Sequence, residues 1–182
     1  MVNDVFVVPI KSFDVAKERL RRGGVPDVTS LARELALRVL ENCSPRHVIV
    51  VSESSDVTNF ARDHGAEVVE STASSLNEAV QGAYEQLSSR YERLIIVHGD
   101  LRHPEGLADF TPDPGITVVA DHRGLGTNVL VVPTMIDFHF KYGSNSAHLH
   151  LREAQRLDLA VHLITDSRWR FDVDEPSDLK SP

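Results

Sequence analysis

Apolar residues along this chain fall into two patterns. Short continuous runs read as buried strands, and runs broken at helical spacing read as one face of a helix. Val5 to Ile10 is the first continuous run and ends in a proline-containing turn. His47 to Val51 and the brief Glu67 to Val69 are strand-like as well. Leu94 to Val97 is apolar throughout, as a central strand buried on both faces must be. Ile116 to Ala120, Val129 to Val132 and Leu159 to Ile164 complete the set.

Helices fill the intervals. Gly23-Gly24 is a break, after which Thr29 or Ser30 caps a helix carrying Leu31, Leu35 and Val39 at four-residue spacing. Ser55 caps a shorter helix with Val57, Phe60 and Ala61 on one side and Gly65 as its stop. Ser75 and Glu78 have capping-box spacing ahead of the stripe Leu76, Ala79, Val80, Ala83 and Leu87. Ser146 to Leu157 is the last predicted helix. Strands and helices alternate through the first hundred residues. That predicts parallel βαβ units with helices on both faces of the sheet, a three-layer α/β fold on a mixed, mostly parallel sheet. No repeat, low-complexity segment or long linker divides the chain, so residues 1–182 are expected to form a single domain. The Pro/Asp stretch from Thr111 to Gly115 reads as an internal loop.

Composition removes several classes of function. With 41% hydrophobic and 25% charged residues, the chain has the balance of a folded soluble domain rather than a disordered tail. A net charge of −8 argues against a duplex nucleic acid partner but leaves room for a small anion held by local cations. No apolar run reaches membrane-spanning length, and Met1-Val2-Asn3-Asp4 lacks the basic start of a signal peptide. A cytoplasmic protein without a membrane partner is expected. Cys43 is the lone cysteine, so neither an internal disulfide nor a thiolate metal cage is available. It reads as a small buried residue near a helix end.

In open α/β sheets, ligands bind beyond the carboxyl ends of the strands. Lys11, Lys17 and Arg19 follow the first strand, and His98, Gly99 and Asp100 follow the central one. Asp121 and Arg123 follow Ala120, and Asp172 and Asp174 lie in the tail. Carboxylates that hold a hard divalent cation, beside cations that neutralise phosphates, suit phosphoryl or nucleotidyl transfer. The plainer reading of the same residues is turn-capping aspartates and a solvated basic face. Neither G-x-G-x-x-G nor G-x-x-x-x-G-K-[ST] is present. His148 and His150, two apart, make a poor shared metal site on a helix, and most of the histidines read as surface or turn residues. Gly124-Leu125-Gly126 reads equally as an anion cradle or an ordinary turn.

Several segments, in order and across nearly the whole chain, resemble one family. Val8-Pro9-Ile10-Lys11 followed by Ala16-Lys17-Glu18-Arg19-Leu20 resembles the "VPVK…AKSRL" opening of the 2-phospho-L-lactate and phosphoenolpyruvate guanylyltransferases of the CofC type. Ser75-Leu76-Asn77-Glu78-Ala79 resembles its "GLNAA", and Gly126-Thr127-Asn128-Val129-Leu130 its "GTNAL". Tyr142-Gly143-Ser144-Asn145-Ser146 with His150 resembles "FGxGS…H", and Asp172 to Leu179 resembles the closing "DLDTPEDL". The departures are Asp100-Leu101-Arg102-His103-Pro104 where the family has "DLP", Ala147 in place of an aromatic, and Ser75 in place of a glycine.

The resemblance implies a fold like that of the molybdenum-cofactor guanylyltransferases and the nucleotide-diphospho-sugar transferases. It implies transfer of GMP from GTP to a phosphorylated three-carbon acid, phosphoenolpyruvate or 2-phospho-L-lactate, in coenzyme F-420 biosynthesis. Lys17 and Arg19 would hold the triphosphate, with Lys11, Leu76 and Asn77 also at the nucleotide. Asp100 would hold Mg²⁺ with Asp174 or Asp172. Thr127, Gly143 and Ser146 would hold the acid, with Arg102 and Ala147 the departures nearest to it. A homodimer is the expected assembly, and a downstream transferase would take the product. The alternatives are a related nucleotidyltransferase with another acceptor and a non-catalytic nucleotide-binding paralogue.

Overall fold

In the computed structural model, which describes residues 3–180, the apolar runs become seven strands of one sheet. They are β1 (Asp4–Pro9), β2 (Val48–Ser52), β3 (Glu67–Glu70), β4 (Arg93–Val97), β5 (Ile116–Ala120), β6 (Thr127–Pro133) and β7 (Val161–Ile164). The helices are α1 (Glu18–Arg22), α2 (Val28–Cys43), α3 (Ser55–Asp63), α4 (Leu76–Leu87) and α5 (Ser146–Arg156). Met1 and Val2 of the N-terminal segment, and Ser181 and Pro182, lie outside the described residues.

The strand order is β3-β2-β1-β4-β6-β5-β7. Only β6 runs against its neighbours, pairing antiparallel with both β4 and β5, so the sheet is mixed and mostly parallel. Alternation along the strands sorts side chains to two faces. Phe6 and Val8 of β1 join Val39 of α2 and Phe60 of α3, whereas Val5 and Val7 join Val80 of α4 and Ala154 of α5. The result is three layers, helix on sheet on helix. Among the described residues, no helix is long and apolar enough to cross a membrane.

The chain leaves β1 toward β2 and β3, then returns to place β4 on the other side of β1. A cleft opens at such a reversal, beyond the carboxyl ends of the strands that flank it. At the opposite end, Asp4 at the start of β1 accepts two hydrogen bonds from Arg93 at the start of β4, both at 2.8 Å. A buried bidentate pair between the two central strands fixes them without occupying the cleft end.

Some local signals were displaced. Asp27, not Thr29 or Ser30, caps α2, its carboxylate accepting from the Ser30 N–H. Ser54 rather than Ser55 precedes α3, and no side-chain cap is formed there. Ser75 does cap α4, but Glu78 reaches back to the N–H and hydroxyl of Ser74 instead of closing the box on Ser75. α1 has no counterpart among the predicted helices, because five residues carry too little periodicity to register. Cys43 is the last residue of α2 and fully buried, as its surroundings in the sequence suggest.

Candidate functional site

The cleft has a volume of about 560 Å³. Pro9, Ile10 and Lys11 enter it from the end of β1, Glu53 from the end of β2, and His98, Gly99 and Asp100 from the end of β4. Lys17 and Asp174 close one side, and Ser75 and Leu76 at the start of α4 another.

Three carboxylates meet here. Oxygens of Asp100, Asp172 and Asp174 all lie within 4.8 Å of one another. The tail reaches Asp100 because it pairs antiparallel with the residues after β4. Leu101 bridges Asp172, the Val173 N–H donates to the Asp100 carbonyl at 3.1 Å, and the Arg102 N–H donates to the Phe171 carbonyl at 2.8 Å. The segment that departs from the family pattern is therefore the one that docks the tail. Trp169 anchors that tail upstream, its indole N–H donating to the Glu105 carbonyl at 3.1 Å. Asp178 anchors it downstream, accepting from the N–H groups of Asp174 and Glu175 at 2.9 and 2.7 Å.

Lys17 stands among these carboxylates. Its ammonium donates to Asp100 Oδ2 and, at 2.8 Å, to Asp174 Oδ1. The backbone at Lys17 is left-handed, φ 61° and ψ 43°, just ahead of α1. A non-glycine residue held there is the kind of local strain that clusters at functional sites. Burial works against the Lys17 charge, but Asp100 and Asp174 outweigh it and raise its pKa. Burial likewise opposes ionisation of Asp100, and Lys17 with His98 overcomes it, so that carboxyl is held below its usual range. Asp172 goes the other way. Its burial, followed by the charges of Asp100 and Asp174, pushes its pKa up. Among the described residues, Asp100 Oδ1 is buried with no hydrogen-bond partner. Three carboxylates against one ammonium, with a buried oxygen unpaired, fit a hard divalent cation bound through oxygen.

The other expected residues are placed as follows. Lys11 and Leu76 line the cleft. Arg19 lies outside it, exposed, 3.4 Å from Glu175, which also receives Arg123 at 3.0 Å. Asn77 spends both ends of its amide on Tyr142, donating to its carbonyl at 3.0 Å and accepting from its N–H at 2.6 Å. It thereby clamps the Tyr142–Ser146 loop to α4. Thr127 and Ser146 are brought together in the interior, where the Ser146 hydroxyl donates to Thr127 Oγ1 at 3.2 Å. Gly143 is exposed in the same loop, at φ +125°, a conformation that side chains other than hydrogen rarely adopt. Arg102 sends its guanidinium to the Asp178 carbonyl, and Ala147, in the first turn of α5, is packed into the core.

His150 joins this group unexpectedly. It is fully buried, unlike the surface residue expected of most histidines here. Its Nε2 accepts from the Lys141 N–H at 3.0 Å, which leaves the proton on Nδ1 to donate to Thr127 Oγ1 at 3.1 Å. Burial depresses its pKa to about 4, so the ring is neutral. The buried stripe of α5 is Ser146, Ala147, His150, Glu153 and Ala154, three of them polar. A hydrophobic pattern cannot reveal such a face. Only the place of His150 in the family motif carried a signal.

A family model described as guanylyl transferase CofC like matches residues 5–181, nearly the whole chain. The chain belongs to this family. Among CofC-like relatives, a phosphoenolpyruvate guanylyltransferase of Roseiflexus sp. (strain RS-1) is 29% identical over 185 residues, covering 95% of this chain and 82% of the relative. A 3-phospho-D-glycerate guanylyltransferase of Colwellia psychrerythraea is 26% identical over 190 residues, covering 96% and 88%. Among solved structures, a nucleotidyl transferase from Methanothermobacter shares the fold with a TM-score of 0.69 at 13% identity, over 98% of this chain and 94% of that one.

Proposed function

We propose that this chain is a Mg²⁺-dependent guanylyltransferase that moves GMP from GTP to a phosphorylated three-carbon acid, with release of pyrophosphate. Residues 1–182 act as one nucleotidyltransferase domain in the cytoplasm, as a homodimer, within coenzyme F-420 biosynthesis. The acids that the family resemblance puts first are phosphoenolpyruvate and 2-phospho-L-lactate, with a downstream transferase to consume the product. The observation that carries the reading is the convergence of Asp100, Asp172 and Asp174 at the cleft between β1 and β4, with Lys17 paired to Asp100 and Asp174.

An oxygen of the acceptor phosphate attacks the α-phosphorus of GTP, and the bond from that phosphorus to the β-phosphate bridge breaks. The second pKa of a phosphate is about 6, so the nucleophile is already an anion near neutral pH and needs no protein base. Catalysis then lies in alignment and charge neutralisation. Asp100, with Asp174 and Asp172, would hold Mg²⁺, which supplies positive charge to the phosphates. Lys17 adds an ammonium to the same region, and Lys11 and Arg19 extend the positive rim. Leu76 borders the nucleotide, while Asn77 acts on the site through its clamp on Tyr142. Thr127, Gly143 and Ser146 form the acceptor end.

Pyrophosphate release should be followed with GTP, CTP, UTP and ATP against three-carbon phosphates, in Mg²⁺ and in EDTA. GTP- and Mg²⁺-dependent release that disappears in Asp100→Asn, while that variant still melts cooperatively, supports the reading. Wild-type rates in Asp100→Asn overturn the metal assignment. Tight Mg-GTP binding without turnover would favour the non-catalytic paralogue.

A further inference from the structure

His98 Nε2 and the Tyr142 hydroxyl are both buried, and among the described residues neither has a hydrogen-bond partner. Their rings are neighbours, with centroids 5.3 Å apart and planes tilted by 40°. His98 borders the cleft two residues before Asp100. Tyr142 packs edge-on to His150 at 4.9 Å, and His150 holds Thr127. The pair thus spans the gap between the carboxylates and the Thr127–Ser146 group.

Neither residue is free to drift. Asn77 fixes the Tyr142 backbone at both N–H and carbonyl, and the His98 N–H donates to the Asn128 carbonyl at 3.0 Å. Buried polar atoms almost always have partners, and unpaired ones cost stability. Packing does not call for the Tyr142 hydroxyl, since its ring lies among Phe140, His150 and His98, where a phenylalanine ring would serve. His98 lines the cleft and Tyr142 lies against its ring. Two rigidly held, unsatisfied polar atoms so arranged, one of them on a cleft-lining residue, are the mark of a site completed by the ligand.

We propose that His98 and Tyr142 are acceptor-specificity residues that together read a hydroxyl on the phosphorylated acid, so that the preferred acceptor is a phosphoglycerate. A hydroxyl both donates and accepts. The phenol can donate to its oxygen while the imidazole nitrogen accepts its proton. Phosphate and carboxylate are common to phosphoenolpyruvate, phospholactate and phosphoglycerate, so those groups do not separate them. The extra hydroxyl does, and a site built to bond a hydroxyl strongly rejects the analogue that lacks it. This inference rests on the guanylyltransferase reading and reverses the order of acceptors that the family resemblance implies.

The test compares wild type, Tyr142→Phe and His98→Leu, with GTP and Mg²⁺, against 2- and 3-phosphoglycerate and phosphoenolpyruvate. Wild type should favour a phosphoglycerate, and Tyr142→Phe should lower the phosphoglycerate-to-phosphoenolpyruvate ratio of kcat/KM by at least tenfold. His98→Leu should move the ratio the same way. Without ligands, Tyr142→Phe should melt at or above wild type, because an unpaired buried hydroxyl has gone. The thermal stabilisation given by phosphoglycerate, measured with a non-hydrolysable GTP analogue, should shrink in both variants. An unmoved ratio, or equal losses with both acids, overturns the proposal. If no acid releases pyrophosphate, the guanylyltransferase reading fails by itself. The stabilisation arm still decides this one, since equal shifts in wild type and Tyr142→Phe, or none in wild type, refute it.

Discussion

Lys17 and Asp174 meet across 157 positions of sequence, ammonium to carboxylate at 2.8 Å, with Asp100 on the other side of the same ammonium. Lys17 holds the tail against the central strand, and on the proposed function its buried positive charge would also meet the phosphates. Removing it should therefore act on both stability and substrate. Lys17→Ala is expected to weaken GTP binding or slow turnover by about 1.5–3 kcal/mol, the worth of a charge-assisted hydrogen bond. Calorimetric GTP affinity and kcat both at wild-type values would return Lys17 to a purely structural role.

Asp172 should behave unlike its neighbours. Burial and the charges of Asp100 and Asp174 both disfavour its ionised form. Asp172→Asn removes that repulsion and keeps the shape, so in EDTA the variant should melt above wild type. In Mg²⁺ the order should reverse, because one of three oxygen ligands has been weakened. A lower melting temperature in EDTA would mean that the Asp172 charge is satisfied by its neighbours and is not poised for a cation.

The buried His150 gives the fold an acid-side weakness. Its pKa is depressed to about 4, against about 6.5 in an unfolded chain. Between those values the unfolded state binds a proton that the folded state refuses. Stability therefore falls as pH drops from about 6.5 toward 4, by on the order of 3 kcal/mol in total. Urea melts from pH 7.5 to 4.5 should show this slope, and His150→Gln should flatten it. A slope unchanged in the variant would place the acid sensitivity elsewhere.

Cys43 should be inert in the native protein. It is fully buried at the end of α2, and burial pushes its thiol up to about 12. At pH 8 roughly one molecule in ten thousand would carry the reactive thiolate. Iodoacetamide should label it only as fast as the protein unfolds, and at the free-thiol rate in denaturant. Rapid labelling of the native state would show that the end of α2 opens locally.

The central strands were legible because each carries a continuous apolar run, and β5 matches its expected bounds at both ends, while the edge strands β3 and β7 are shorter and broken by Glu67, Glu70 and His162. The antiparallel setting of β6 was not, since a fully buried strand has the same composition in either direction. Of the site, Lys17, Asp100 and Asp174 could be picked out by their positions after strands and by the family motifs. The pairing that unites them is a single antiparallel bridge, Leu101 with Asp172, made of two backbone hydrogen bonds. Contacts so few leave no periodic trace. Asn77 and His150 were noticed as motif letters, but their actual work on the Tyr142 backbone and Thr127 depends on a loop whose path the sequence does not encode locally.

The docking of the tail also orders events during synthesis. A ribosome-bound chain exposed as far as Ile164 already contains all seven strands, yet it has one of the three carboxylates and lacks the second partner of Lys17. The sheet can form before the site exists. On the proposed function, a nascent chain can thus commit to its architecture while still unable to take up a metal-nucleotide complex, and the ability to bind would arrive with about ten further residues of elongation rather than with folding itself.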